Sequence, residues 1–196
     1  MKKLLVTISR QYGTSAQNIG KKLAEIYGIN YYDNDNLAEL MPAVGSSDRK
    51  GDGGNIGNGS AVNVLMSTNS FRYATRNEKM FNRQSKLMRE LADHGNAVFV
   101  GRCADVVLAG YEGLVTVFLG APFEVRIKNV MEREKVSERE AKSIIRRMDK
   151  DRDSYYHYYT DKNWGERGNY DICLDTSRLS EDALVSIIRS YIESSH

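Results

Sequence analysis

Cysteine is scarce in this chain: Cys103 and Cys173 are the only two among 196 residues. They lie far apart and form no Cys-x-x-Cys pair, which argues against a disulfide framework and a cysteine-based metal site. A reducing compartment fits that usage. No His/Cys/Asp/Glu spacing suggests structural zinc either. An excess of one charge is also lacking. Lys and Arg number 28 against 26 Asp and Glu, a formal net charge of +2. That balance argues against nucleic-acid binding by bulk charge, while leaving room for local basic clusters that hold phosphate. Long hydrophobic runs are missing too. The apolar stretch Leu4-Leu5-Val6 is too short for a signal peptide and runs into Ser9-Arg10-Gln11. Nothing approaches the roughly 20 apolar residues of a membrane span. A soluble, cytoplasmic protein is expected, with neither nucleic acid nor membrane as partner.

What is present is an alternation. A length of 196 residues suits one α/β domain, 1–196, with a real core. Leu4 to Ile8 reads as a strand buried on both faces. Gly13 breaks it, and Ile19, Leu23, Ile26 and Tyr27 follow at helical spacing, with Thr14 or Ser15 as cap. Gly28 stops that helix, and Ile29 to Tyr32 reads as a second strand. Residues 45–60, GSSDRKGDGGNIGNGS, have little to bury and are expected to form a mobile loop over a site. A helix is expected from about Arg72 to His94, with Met80, Phe81, Leu87, Met88 and Leu91 inward and Gly95 as its stop. Ala97–Val100, Leu114–Leu119 and Tyr170–Leu174 read as further strands. Between them lie helical patterns over Cys103–Leu108, Phe123–Arg133 and Ser137–Tyr159, the last opened by a capping box from Ser137 to Glu140. A final helix from Ser180 carries Leu184, Ile187, Ile188 and Tyr191. Strands alternating with helices predict a three-layer α/β sandwich around a five-stranded parallel sheet.

In such sheets ligands bind beyond the carboxyl ends of the strands. The segments placed there are Ser9–Asn18, Asp33–Asn36, Gly101–Asp105 and the stretch after Leu119. Gly13, Thr14, Ser15, Ala16, Gln17 and Asn18 join a first strand to a first helix. Small residues there let backbone N–H groups turn toward an anion, beside the positive end of a helix. The full pattern GxxxxGK[ST] is absent: Ala16 stands where lysine belongs, and Gln17 and Asn18 replace the metal-binding hydroxyl. Two readings stand, a phosphate loop without its lysine and an ordinary strand-to-helix turn. Further on, Ile144, Ile145, Met148, Tyr155 and Tyr159 share one helix face, and Arg152 falls within that apolar stripe. A buried arginine needs a partner. Asp149, three residues earlier, is one candidate and a bound phosphate is the other. The tyrosines from Tyr155 to Tyr159 read mainly as core packing, and Trp164-Gly165 as an anchor for the loop that follows.

Three sets of residues together resemble the cytidylate kinase-like family: Ile8-Ser9-Arg10-Gln11-Tyr12-Gly13, then Val100-Gly101-Arg102-Cys103-Ala104-Asp105, then a closing run from Tyr155-Tyr156 through Trp164-Gly165 to Asn169-Tyr170-Asp171-Ile172-Cys173-Leu174-Asp175-Thr176-Ser177. The resemblance spans nearly the whole chain and is weak only over about 36–70. It implies a P-loop nucleoside-monophosphate kinase fold with a mobile monophosphate-side region, 36–70, and a helical lid, 137–168. It implies transfer of the γ-phosphoryl group of ATP to CMP or a related monophosphate, with Mg²⁺ held mostly through water and phosphate oxygens. ATP phosphates would lie over the 13–18 loop. Gly101-Arg102 matches the start of the family's Gly-Arg-Asp, which holds the monophosphate; Cys103 departs from it, and the acid appears later as Asp105. Arg102 would grip a phosphate or a base edge, or else cap the short helix. Asp33 matches an acid near the monophosphate, and equally suits a turn and helix cap. Asp149-x-x-Arg152 matches the lid, its acid near the sugar and its arginine on phosphate, with Arg146 or Arg147 as the second lid arginine. The alternatives to a monophosphate kinase are a catalytically weak or inactive nucleotide-binding module and a kinase for another small acceptor.

Overall fold

Strand β1, Leu5–Arg10, is buried on both faces because helices cover both. It is the central strand of the computed structural model, which describes residues 3–41 and 71–195, with side chains from 78 in the second segment. The other strands are β2, Asn30–Tyr32; β3, Ala97–Val100; β4, Leu114–Gly120; and β5, Ile172–Asp175. All pairings are parallel in the order β2-β3-β1-β4-β5. Leu5 lies beside Ala97 on one side and Leu114 on the other. The ends of β1 and β3 are therefore adjacent although 90 residues separate Arg10 from Val100.

Helix α1, Ala16–Tyr27, and the last helix, α7, Glu181–Ser195, cover one face. Ile19 and Leu23 meet Val6, Ile8, Leu184 and Ile188 there. Each such side chain contributes about 1.5–3 kcal/mol by leaving water. The opposite face carries α2, Asn34–Leu40; α3, Phe71–His94; and α4, Ala104–Val107. Leu37, Met88 and Leu108 pack there on Leu5 and Phe99. Helices α5, Phe123–Glu134, and α6, Glu138–Thr160, form a hairpin with its own core of Ile127, Val130, Ala141 and Ile145. The Ser137 capping box opens α6, as the spacing predicts.

The architecture is the expected three-layer sandwich, with differences in detail. Ile26 faces water, because Ala16, Ile19, Gly20, Leu23 and Ala24 already fill the inner arc of α1. Ser15 precedes α1 but makes no side-chain cap bond. On α3 the buried positions include Gln84 and Ser85 beside Met88 and Ala92. Strand β5 starts at Ile172, since residues 167–169 form a 3₁₀ turn and Tyr170 packs on Phe118 instead. Ile187 and Tyr191 are exposed, and Val185 and Ile192 are buried in their stead. Of the region 36–70, residues 36–40 belong to α2; the loop expected over 45–60 lies outside the described residues.

Candidate functional site

A cleft of about 430 Å³ opens over the carboxyl ends of β1, β2 and β3 and under the α5–α6 hairpin. One wall is the loop from Gln11 to Gln17. Thr14 donates its hydroxyl to the Gln11 carbonyl at 2.9 Å, closing the turn. Gly13 has φ +88 and lies so close to α5 that a Cβ would sit 2.9 Å from the Arg126 carbonyl; only glycine fits both constraints. Asn129 donates to the Gly13 carbonyl at 2.8 Å. Gly13, Thr14, Ala16 and Gln17 line the cleft. Ala16 is also part of the core under β1, at 1% exposure. Ser15 lies outside the lining, and Asn18 turns away to Glu181 at 2.9 Å.

The opposite wall is the turn after β3. Gly101, Arg102 and Cys103 all have positive φ, at +86, +62 and +55. Two consecutive non-glycine residues in the left-handed region cost about 1–3 kcal/mol each. The turn aims Arg102 inward. Its Nε donates to Asn34 Oδ1, and its guanidinium lies 5.6 Å from the Tyr155 ring centroid. Arg102 is buried, and its Nη2 has no hydrogen-bond partner. Asp33 is the N-cap of α2, accepting from the N–H groups of Asp35 and Asn36. Its second oxygen accepts from Tyr31 Oη at 3.1 Å and Gln17 Nε2 at 3.4 Å. Asp105 is buried beneath this wall, where Oδ2 accepts from Tyr156 Oη at 2.6 Å and Oδ1 has no partner. Burial raises its pKa, and burial likewise pushes the Cys103 thiol up.

The hairpin supplies the roof. Asp149 does not pair with Arg152. Its Oδ2 meets Arg126 Nη1 at 2.5 Å, and its Oδ1 accepts from the Tyr12 N–H at 2.8 Å. Of the two partners that the sequence allowed for Arg152, Asp149 is not taken, because the two side chains leave α6 in different directions, Asp149 toward α5 and Arg152 into the cleft. Arg152 donates to the Arg10 carbonyl at 2.8 Å and lies 5.2 Å from the Tyr12 ring centroid. Arg133 also lines the cleft, over the same ring and paired with Glu134. Arg146 and Arg147 are exposed and lie outside the cleft; Arg146 covers Phe123.

Arg10, Arg102 and Arg152 thus converge on one space, and among the described residues none of them forms an ion pair. Burial lowers the Arg10 pKa to about 9, with Arg152 and Arg102 adding to the shift. Burial similarly lowers Arg152 to about 10, although Asp149 and Tyr12 oppose it. Buried guanidiniums without an ion-pair partner favour an anion in the cleft. Among the described residues no group of three His, Cys, Asp or Glu could hold a metal. Sequence reasoning placed Arg10 and Tyr12 in the Ser9–Asn18 segment without giving either a role, and singled out neither Arg126 nor Arg133.

Residues 5–178 match the sequence profile of the cytidylate kinase-like family. The cytidylate kinase of Pyrococcus horikoshii is 27% identical over 97% of this chain and 89% of its own length. A solved structure of an uncharacterized protein from Eubacterium ventriosum superposes with a TM-score of 0.76 at 26% identity, covering 98% of this chain and 99% of that one. The shikimate kinase of Acinetobacter baumannii shares the fold, with a TM-score of 0.55 at 16% identity over 98% of this chain and 94% of that one.

Proposed function

The chain belongs to the cytidylate kinase-like family, and from that premise we propose that it transfers the γ-phosphoryl group of ATP to CMP or a related nucleoside monophosphate. The observation that carries this reading is the convergence of Arg102 from the β3 turn and Arg152 from α6 on one cleft without an ion-pair partner among the described residues. In this reading the backbone around Gly13 and the N-terminus of α1 receive the donor phosphates. Arg152, held by the Arg10 carbonyl, keeps further donors for charge developing on the transferring group. Arg102, fixed by Asn34, orients the acceptor, and Asp33 sets the position of α2 beneath it. The α5–α6 hairpin acts as the lid and excludes water. Mg²⁺, when bound, neutralises phosphate charge; the described residues, which include no carboxylate cage, fit an ion held through phosphate oxygens and water.

One observation favours a second reading, a nucleotide-binding module with little or no catalysis: Ala16 is built into the core where the P-loop pattern places lysine. Cys103 stands in place of an acid beside Arg102, so the residues there give no support for a preference for cytosine. A coupled assay of ADP formation with CMP, UMP, AMP and GMP in turn, and then with small non-nucleotide alcohols, tests all three. Acceptor-dependent turnover with one of them is expected. Binding of ATP without turnover on any acceptor marks the module, and turnover only with a non-nucleotide acceptor marks the other kinase.

A further inference from the structure

Within the kinase reading, on which this inference rests, we propose that Arg10 is an acceptor-phosphate ligand: its guanidinium and that of Arg102 hold the phosphate of the monophosphate together. Arg10 closes β1, and its main-chain carbonyl is taken by Arg152. Its side chain runs across to β3. A Cβ at position 101 would overlap the Arg10 guanidinium. The φ of +86 is why the residue before Arg102 is glycine; the close approach shows only that the movable end of Arg10 rests against it. The two guanidiniums therefore flank one strand end, on the β2–β3 side of the cleft, where Tyr31 and Asp33 also act on Arg10. Arg10 has no ion pair among the described residues, and Arg102, buried, keeps an unpartnered Nη2.

Arg152 and Arg102 repel Arg10, a repulsion that Tyr31 and Asp33 offset only in part, and an anion bound beside the guanidiniums relieves it. A phosphate monoester carries close to two negative charges and accepts paired bonds from each guanidinium. Ala16 offers no cation at the start of α1. Arg10 supplies positive charge from the neighbouring strand end instead, aimed at the acceptor half of the cleft.

The experiment compares wild type, Arg10→Met and Arg10→Lys by calorimetry with CMP, cytidine, ATP and inorganic phosphate, alongside melting of each free protein. Arg10→Met is expected to weaken CMP at least tenfold, as loss of a charge-assisted contact does, and to change ATP affinity by less than about threefold. Arg10→Lys should retain part of the CMP affinity. Cytidine, which has no phosphate, should bind all three proteins alike. Free Arg10→Met should melt at or above wild type, because a repelled charge has gone. CMP affinity unchanged in Arg10→Met, an equal or greater loss for ATP, or a variant that fails to fold overturns the assignment. A wild type that binds CMP but turns over no monophosphate defeats the kinase reading alone. A wild type that binds neither CMP nor inorganic phosphate defeats the assignment of Arg10 as well.

Discussion

Arg126 and Asp149 form an ion pair, Nη1 to Oδ2 at 2.5 Å, that joins α5 to α6 at the roof of the cleft. Arg126 also donates to the carbonyls of Ala121 and Tyr12, at 3.0 and 3.2 Å, while Asp149 accepts from the Tyr12 N–H. One pair thus ties the hairpin to both the β1 loop and the β4 end. Arg126→Met removes the charge and three hydrogen bonds while keeping much of the volume. It should lower stability by about 2–4 kcal/mol; a fully buried pair loses 3–5 when one partner is removed, and Asp149 keeps 20% of its side chain exposed. Urea unfolding measures this, and a loss under about 0.5 kcal/mol would show the pair to be incidental.

Arg152 should behave in the opposite way. Its hydrogen-bond acceptor is the Arg10 carbonyl, and its neighbours include Arg133 and Arg126. Arg152→Met is expected to leave the free protein within about 1 kcal/mol of wild type, one neutral hydrogen bond being worth about that much. The stabilisation conferred by CMP and ATP should vanish, since it follows the affinity lost. A thermal-shift series separates the two outcomes. A variant that melts far lower yet gains the full ligand shift would assign Arg152 to the structure of the fold.

The sequence made the layers legible and the roof illegible, for physical reasons. Short apolar runs such as Ala97–Val100 report burial on both faces directly, and the 3.6 period of α6 put Arg152 on its inner stripe. Nothing local reports where a side chain ends. Asp149 and Arg152, three apart on one helix, satisfy the spacing of an ion pair, but Arg126, 23 residues away, offers Asp149 a shorter contact across the hairpin. The partnership of Arg10 with Gly101 is equally silent, because it depends on β1 and β3 being neighbours. Asp33 was legible as a helix cap; its place near Arg10 was not.

Gly13 connects the loop to the same roof. Its φ is +88, and an added Cβ would stand 2.9 Å from the Arg126 carbonyl and 3.0 Å from Arg126 Cβ. Gly13→Ala therefore incurs left-handed strain and a clash with backbone, together about 1–3 kcal/mol. Because the clash pushes on Arg126, the double variant Gly13→Ala/Arg126→Met should lose less than the two singles combined. Strict additivity in a double-mutant cycle would show that the loop and the ion pair are independent.

Asp105 gives a pH dependence whose sign is fixed by its surroundings. Its carboxylate is buried, with Tyr156 Oη on Oδ2. Burial outweighs that bond, the nearby main-chain N–H groups of Asp105 and Val106 and the Lys162 charge, and raises its pKa above the ordinary 3.8. A raised carboxyl pKa means the folded protein holds the proton more tightly than the unfolded chain. This group therefore favours folding most below pH 3.8, and its contribution falls as pH rises from there through the raised folded value. At neutral pH the protein carries the full cost of a buried charge. Asp105→Asn keeps an oxygen to accept from Tyr156 and removes the titration. The variant should be more stable than wild type at pH 7, and the difference should shrink steadily toward pH 4. Asp105 lies outside the cleft lining, so the melting shift given by CMP should persist in the variant. Chemical denaturation at several pH values between 4 and 7, with and without CMP, tests both parts. A variant less stable at pH 7 than at pH 4 relative to wild type would show that the Tyr156 bond outweighs burial. Loss of the CMP shift would place Asp105 among the acceptor's ligands.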